Sequence, residues 1–108
     1  MPQYMLQASY TAEALAALTK SPEDRTEGLR ALAKKMGGKL VSLHFTMGDT
    51  DVVVVIEAPD DTAATAIALA AIAPGHLKST RTTRLYTAAE MLTALKKAQG
   101  AGYKAPKG

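Results

Sequence analysis

The chain of 108 residues contains no cysteine. That absence excludes a disulfide scaffold, a thiolate zinc site, an iron–sulfur cluster and a cysteine nucleophile. No apolar run reaches the roughly 18 residues that a membrane span needs, and residues 1–10 lack the basic and apolar regions of a secretory leader. We therefore expect a protein of the bacterial-type cytoplasm that has no membrane partner.

Several catalytic and binding motifs are missing as well. There is no Gly-x-Ser-x-Gly elbow of a serine hydrolase, and Gly37-Gly38 follows a predicted helix, whereas a phosphate-binding loop precedes one. His44 and His76 lack helical i, i+4 spacing, and no acidic cluster accompanies them. We therefore expect neither a metal site nor a bound cofactor.

The charge is distributed unevenly along the chain. Residues 1–75 carry six Lys or Arg and nine Asp or Glu, a balance of −3, whereas residues 76–108 carry seven basic residues and one acid, a balance of +6. A basic C-terminal third fits either a nucleic-acid surface or a solvated strand edge followed by a lysine-bearing tail. Because no helix-turn-helix, zinc-finger or aromatic-basic motif accompanies these charges, nucleic acid is not the expected partner.

Hydrophobic periodicity predicts the order β-α-β-β-α-β followed by a terminal helix. The predicted strands cover residues 4–10, 39–47, 52–56 and 76–86, and helices begin at Thr11, Ser21, Pro59 and Thr87. Ser21 resembles an N-cap with proline at the first helical position, and Asp60-Asp61 are better explained as capping residues than as metal ligands. A hydrophobic content of 47% supports one packed domain over residues 1–98, with residues 99–108 as a flexible tail.

This order is that of a ferredoxin-like α+β fold, in which helices pack on one face of a four-stranded antiparallel sheet. A sheet with one covered face should alternate apolar and polar residues. The run from Val52 to Ile56 does not alternate, so the second face is expected to meet something apolar, either a second subunit or the terminal helix. We expect a homodimer or a higher oligomer that forms through this sheet face.

Four segments resemble the signature of the GYD-domain family, over residues 4–90. They are Gly37-Gly38-Lys39, Thr46-Met47-Gly48-Asp49-Thr50-Asp51, Glu57-Ala58-Pro59-Asp60-Asp61 and Thr83-Arg84-Leu85-Tyr86-Thr87. The resemblance implies a small ferredoxin-like domain, similar to the dimeric α+β barrel proteins, whose biochemical role is poorly defined. Thr50 and His44 stand where the family favours aromatic residues, so chemistry that depends on the ring before Asp51 would not be inherited.

One face of the sheet gathers polar side chains among valines. In a tight hairpin His44 pairs with Val53 and Thr46 with Asp51, and strand alternation puts Leu40 on the same face as His44, opposite Leu43. The polar set is Gln7, Ser9, Ser42, His44, Thr46 and Asp51. Convergent polar groups in an apolar setting indicate either a small-molecule pocket or a half-buried interface whose polar groups bond one another.

His44 is the candidate acid–base residue of this set, since histidine titrates near neutrality. The alternative is a structural histidine that makes a buried hydrogen bond. Arg84 either holds an anionic group or pairs with an acid such as Glu57. Three functions stay open: a small-molecule-binding or accessory and sensory domain, a cofactor-independent enzyme of the dimeric α+β barrel type that uses His44, and an interaction or nucleic-acid-binding module that uses the basic third.

Overall fold

A computed structural model describes residues 1–107, in which four strands and four helices follow one another. The strands are β1 (Gln3–Tyr10), β2 (Lys39–Phe45), β3 (Val52–Glu57) and β4 (Leu77–Leu85). The helices are α1 (Ala12–Lys20), α2 (Thr26–Lys35), α3 (Asp61–Ile72) and α4 (Ala88–Gln99). The strands pair antiparallel in the order β2-β3-β1-β4, which confirms the predicted α+β, ferredoxin-like fold.

Three of the four predicted helix starts are confirmed by their caps. The side chains of Thr11 and Asp60 each accept a hydrogen bond from the backbone N–H three residues further on, at 3.1 and 2.8 Å. Thr87 and Glu90 cap each other reciprocally, with N···O distances of 2.9 and 3.1 Å. These side chains satisfy backbone donors that the first turn of a helix leaves unpaired.

The predicted start of α2 at Ser21 is wrong. The backbone N–H of Ser21 donates to Ala17 at 2.9 Å, so this residue ends α1 as its C-cap. The residue before a proline is disfavoured in helical conformation, and Pro22 therefore separates the two helices. The carboxylate of Asp24 then accepts a hydrogen bond from the Thr26 backbone N–H at 2.9 Å, and α2 begins there.

The second strand contains a bulge that sequence alternation did not predict. Leu40 pairs with Ile56 and Ser42 with Val55, so Val41 is an extra residue between them. Leu40 is buried on the helix side of the sheet, and its predicted place on the same face as His44 is wrong. Such bulges are common on edge strands, and β2 is an edge of this sheet.

The hydrophobic core lies between the sheet and the helices α2 and α3. It consists of Tyr4, Ala8, Ala33, Leu40, Val52, Val54, Ile56, Ala58, Ala64 and Ile67. Alternate residues of β3, Val53 and Val55, are half-buried on the other side of the sheet, which we call the open face. Because strand residues alternate between faces, both sides of β3 are apolar.

Helix α4 extends away from this core. None of its residues is buried, and the apolar side chains of Met91, Leu92 and Leu95 are exposed. The radius of gyration of 17.5 Å exceeds the roughly 13 Å of a compact domain of this length. Helix α4 therefore does not cover the open face of its own sheet. None of the helices within residues 1–107 is long and apolar enough to cross a membrane. The last residue of the predicted flexible tail, Gly108, lies outside the described residues.

The glycine pair between α2 and β2 meets two separate constraints. Gly37 has a φ of +82°, a left-handed conformation that glycine adopts without strain and that commonly ends a helix. Gly38 donates its backbone N–H to Ala33 at 2.8 Å and lies directly against the backbone of Glu57. The pair thus ends α2 and brings the start of β2 into contact with the end of β3.

Candidate functional site

The cross-strand register places much of the predicted polar set on the open face. His44 lies opposite Val53, which lies opposite Gln7 on β1. Ser42 lies opposite Val55 in the same way. The backbone N–H of Thr46 donates to the carbonyl of Asp51 at 2.8 Å. The hairpin pairings predicted from the sequence are therefore confirmed.

Three of the six residues are engaged in holding the loop between β2 and β3. Ser9 is only 4% exposed, and its hydroxyl donates to the Asp49 carbonyl at 3.3 Å. Oδ2 of Asp51 accepts from the Tyr10 backbone N–H at 2.9 Å, and the Thr46 hydroxyl donates to the Thr50 carbonyl. These contacts fix the turn to the end of β1. Gln7, Ser42 and His44 form the remainder of the set, on the flat part of the open face.

His44 lies on the edge strand and is exposed. Within residues 1–107 it makes no side-chain hydrogen bond, and its predicted partner Asp51 is bonded to Tyr10 instead. Beside it is a shallow depression that also involves Pro22, Glu23 and Thr26. The buried hydrogen bond expected of a structural histidine is therefore absent from the described part of the chain.

Replacing His44 with alanine should change the free energy of unfolding by no more than about 0.5 kcal/mol, the usual range for an exposed side chain without specific contacts. Chemical denaturation followed by circular dichroism measures this difference. Ser9→Val is the matched comparison on the same face: it removes a buried hydroxyl that is hydrogen-bonded and should cost about 1–3 kcal/mol. A His44→Ala protein as unstable as Ser9→Val would contradict the placement of His44 in solvent.

A cleft of about 80 Å³ opens on the other side of the sheet, between α2 and α3. Helix α2 packs over β2 and α3 over β4, and the cleft lies between the two helices, above β1 and β3. Its walls are mainly apolar and include Leu6, Leu29, Val54, Ile67, Ala68 and Ala71. The small side chains of α3 contribute to this space, because a methyl group at Ala68 or Ala71 fills far less volume than a leucine would.

Polar side chains gather where the cleft reaches Tyr10, Arg25 and His76. The rings of Tyr10 and His76 stack with centroids 6.1 Å apart, and the His76 carbonyl accepts from the Thr11 backbone N–H at 2.9 Å. Burial raises the pKa of the Tyr10 phenol, against the opposing effect of the nearby Arg25. Tyr10 therefore keeps its proton at neutral pH and can donate a hydrogen bond.

A second polar cluster lies around Arg84. Its guanidinium is 4.5 Å from the centroid of the Tyr86 ring and pairs with Glu90 at 3.2 Å. Arg84 therefore pairs with an acid as predicted, but the acid is Glu90 and not Glu57. The hydroxyl of Tyr4 donates to Asp61 at 2.6 Å, and this hydrogen bond raises the pKa of Tyr4. These contacts join β1 to α3 and β4 to α4, and they account for Arg84 without a bound anion.

Sequence reasoning missed the cleft, since it directed attention to the open face. The available signal was the composition of α3, in which six of twelve residues are alanine.

Among residues 1–107 no three His, Asp or Glu side chains are grouped closely enough to hold a metal ion. The basic residues of β4 are divided between faces, because Arg81 lies opposite Gln7 whereas Arg84 lies opposite Tyr4.

Comparisons with known proteins give a family and a fold. A family model described as the GYD domain matches residues 4–95. A search of curated protein sequences found no match. The structure resembles that of TTHA0845 from Thermus thermophilus, with a TM-score of 0.53 and 12% identity over 82% of this chain and 96% of that one.

Two further solved structures are similar over part of their length. The structure of MtbAldR gives a TM-score of 0.53 at 12% identity, and that of an AsnC family transcriptional regulator from Agrobacterium tumefaciens gives 0.50 at 15%. Each match covers 80% of this chain but only 52% and 50% of the other. The chain thus spans about half the length of these two proteins, and the likeness concerns the fold.

Proposed function

The chain belongs to the GYD-domain family, and for this member we propose a role as a self-associating accessory or sensory domain that binds a small molecule. The observation that carries the proposal is the cleft between α2 and α3. A similar fold occurs in a protein described as an AsnC family transcriptional regulator, which is compatible with a sensory role. In this proposal Gln7 and Ser42, on the flat part of the open face, belong to the interface between copies, and His44 stays at its edge in contact with solvent.

The size and the walls of the cleft favour an organic ligand. A water molecule needs roughly 10–15 Å³ of such space, so 80 Å³ corresponds to about five or more waters. Most of those waters would face apolar side chains and could not complete their hydrogen bonds. An apolar group that displaces them is favoured by the hydrophobic effect. The cleft is therefore suited to a ring or a short hydrocarbon chain.

Self-association is supported by two apolar surfaces that this chain leaves uncovered. Val53, Val55 and Met5 are only half-buried on the open face, and α4 exposes Met91, Leu92 and Leu95. The charges are also complementary, with −3 on residues 1–75 and +6 on residues 76–108. A second copy offers both an apolar face and the opposite charge.

Binding in the cleft can be tested with phenylacetamide, a neutral molecule with one ring. We expect its addition to shift the amide signals of the β1, β3 and α3 residues around the cleft in two-dimensional ¹H–¹⁵N NMR spectra. Ala71→Phe should abolish these shifts because its ring fills the space from α3. Ala70→Phe is the matched control: it adds the same ring to the neighbouring, exposed position and should leave the shifts in place. Equal binding by both variants would refute the proposed site.

A further inference from the structure

We infer that the cleft selects a small organic acid, whose carboxylate lies at Arg25, Tyr10 and His76 and whose apolar ring or chain lies along α3. This inference rests on the proposed function and adds the chemical class of the ligand. It follows from the hydrogen-bond donors at Tyr10, Arg25 and His76, from the exposed ion pair that Arg25 makes, and from the apolar side chains that α3 contributes to the cleft.

The polar end of the cleft is rich in hydrogen-bond donors. The Arg25 guanidinium carries five N–H donors, the Tyr10 hydroxyl keeps its proton, and the His76 ring offers an N–H. Among the described residues that line the cleft there is no aspartate and no glutamate. A ligand group that accepts hydrogen bonds and carries negative charge matches these atoms, whereas the nearby carboxylate of Glu23 is already paired with Arg25.

Arg25 is available to such a ligand. Its guanidinium pairs with Glu23 at 3.0 Å, but both side chains are about half exposed, at 45% and 58%. Ion pairs this exposed are weak because water screens them, and one pairing leaves further N–H groups of the guanidinium free to donate. A carboxylate that reaches Arg25 from the cleft side can therefore bind alongside Glu23 or replace it.

Arg25, Tyr10 and His76 also line a second hollow, between α1 and the start of α2. The three side chains thus stand at the boundary between this solvent-facing hollow and the apolar cleft. A carboxylate at that boundary keeps contact with water, while the rest of the molecule lies against Leu29, Ile67 and Ala71. An ionised group with an apolar tail fits this arrangement, since the burial of a charge without partners is strongly unfavourable.

The inference predicts that the protein binds phenylacetate more tightly than phenylacetamide, the neutral molecule of nearly the same shape. Charge-assisted hydrogen bonds to a guanidinium are markedly stronger than neutral ones, and we expect a ratio of dissociation constants of about ten in 20 mM salt. Arg25→Gln should reduce this ratio to about one without loss of phenylacetamide binding. NMR titration of the unmodified protein and the variant with each probe measures the four constants.

Arg30→Gln is the matched control, because it removes the same charge from α2 at an exposed position that pairs with Glu27 outside the cleft. The ratio should stay near ten in that variant. Equal affinity for the two probes in the unmodified protein would overturn the organic-acid assignment and leave the small-molecule proposal intact. Failure of both probes to bind would overturn both. Binding that weakens as protein concentration rises would show that a second copy of the chain occupies the cleft, and would also overturn the assignment.

Discussion

Replacing Gly38 with alanine is expected to lower the free energy of unfolding by about 2–4 kcal/mol. A Cβ at this position would overlap the carbonyl oxygen of Glu57 and would lie 3.2 Å from its carbonyl carbon and 3.3 Å from the Cα of Ala58. These atoms belong to the backbone, so no side-chain rotation can relieve the contact. The strands β2 and β3 would have to separate where Lys39 pairs with Glu57.

Gly28→Ala is the control for this experiment. Gly28 lies in α2, with nothing within 4 Å of the position that a Cβ would take, and alanine favours a helix over glycine by roughly 0.5–1 kcal/mol. The two substitutions are chemically identical and should change stability in opposite directions. Urea unfolding followed by circular dichroism measures both. A Gly38→Ala protein as stable as the unmodified one would disprove the close approach of the two backbones.

The second large effect is expected at Val53, where aspartate should prevent self-association. Complete burial of a valine side chain is worth about 1.5–3 kcal/mol, and a carboxylate buried without a partner would oppose the interface further. Two symmetric copies would each carry the substitution, so its effect is doubled in a dimer. Multi-angle light scattering at micromolar concentration should give an oligomeric mass for the unmodified protein and 11.3 kDa for Val53→Asp.

Leu69→Asp tests the opposite side of the molecule. Leu69 is 60% exposed on α3, and its replacement removes a larger apolar group without touching the open face. We expect this variant to keep the oligomeric mass. If Leu69→Asp dissociates the protein and Val53→Asp does not, the helices and not the sheet form the interface. A monomeric mass for the unmodified protein would refute self-association altogether.

Local features of the structure could be predicted from the sequence. The caps at Thr11, Asp60 and Thr87 depend on a few neighbouring residues, as does the hairpin register that places His44 opposite Val53. The start of α2 was mispredicted because Ser21 and Pro22 have the residue types of an N-cap followed by proline at the first helical position. The hydrogen bond of Ser21 to Ala17 is decided by the continuation of α1 and by Pro22.

The cleft could not be predicted in the same way. The cleft exists because α2 and α3 lie apart on the same face of the sheet. The distance between the two helices is not encoded in the periodicity of either one. The bulge at Val41 was also missed, because strict alternation along a strand does not show where an extra residue is inserted. Residues that line the open face were found by alternation. Tyr10 ends β1, whereas Arg25 and His76 lie in two separate connections, and the three meet only in the folded chain.

The projection of α4 has a hydrodynamic consequence. The molecule measures 58 × 36 × 21 Å, so a single copy experiences more friction in solution than a sphere of the same mass. Its elution from a gel-filtration column calibrated with globular standards would therefore correspond to a heavier protein. In an assembly that folds α4 against another copy, the mass doubles but the largest dimension grows much less. Monomer and dimer would then elute closer together than their masses imply, and sedimentation velocity separates them because it reports mass and friction together.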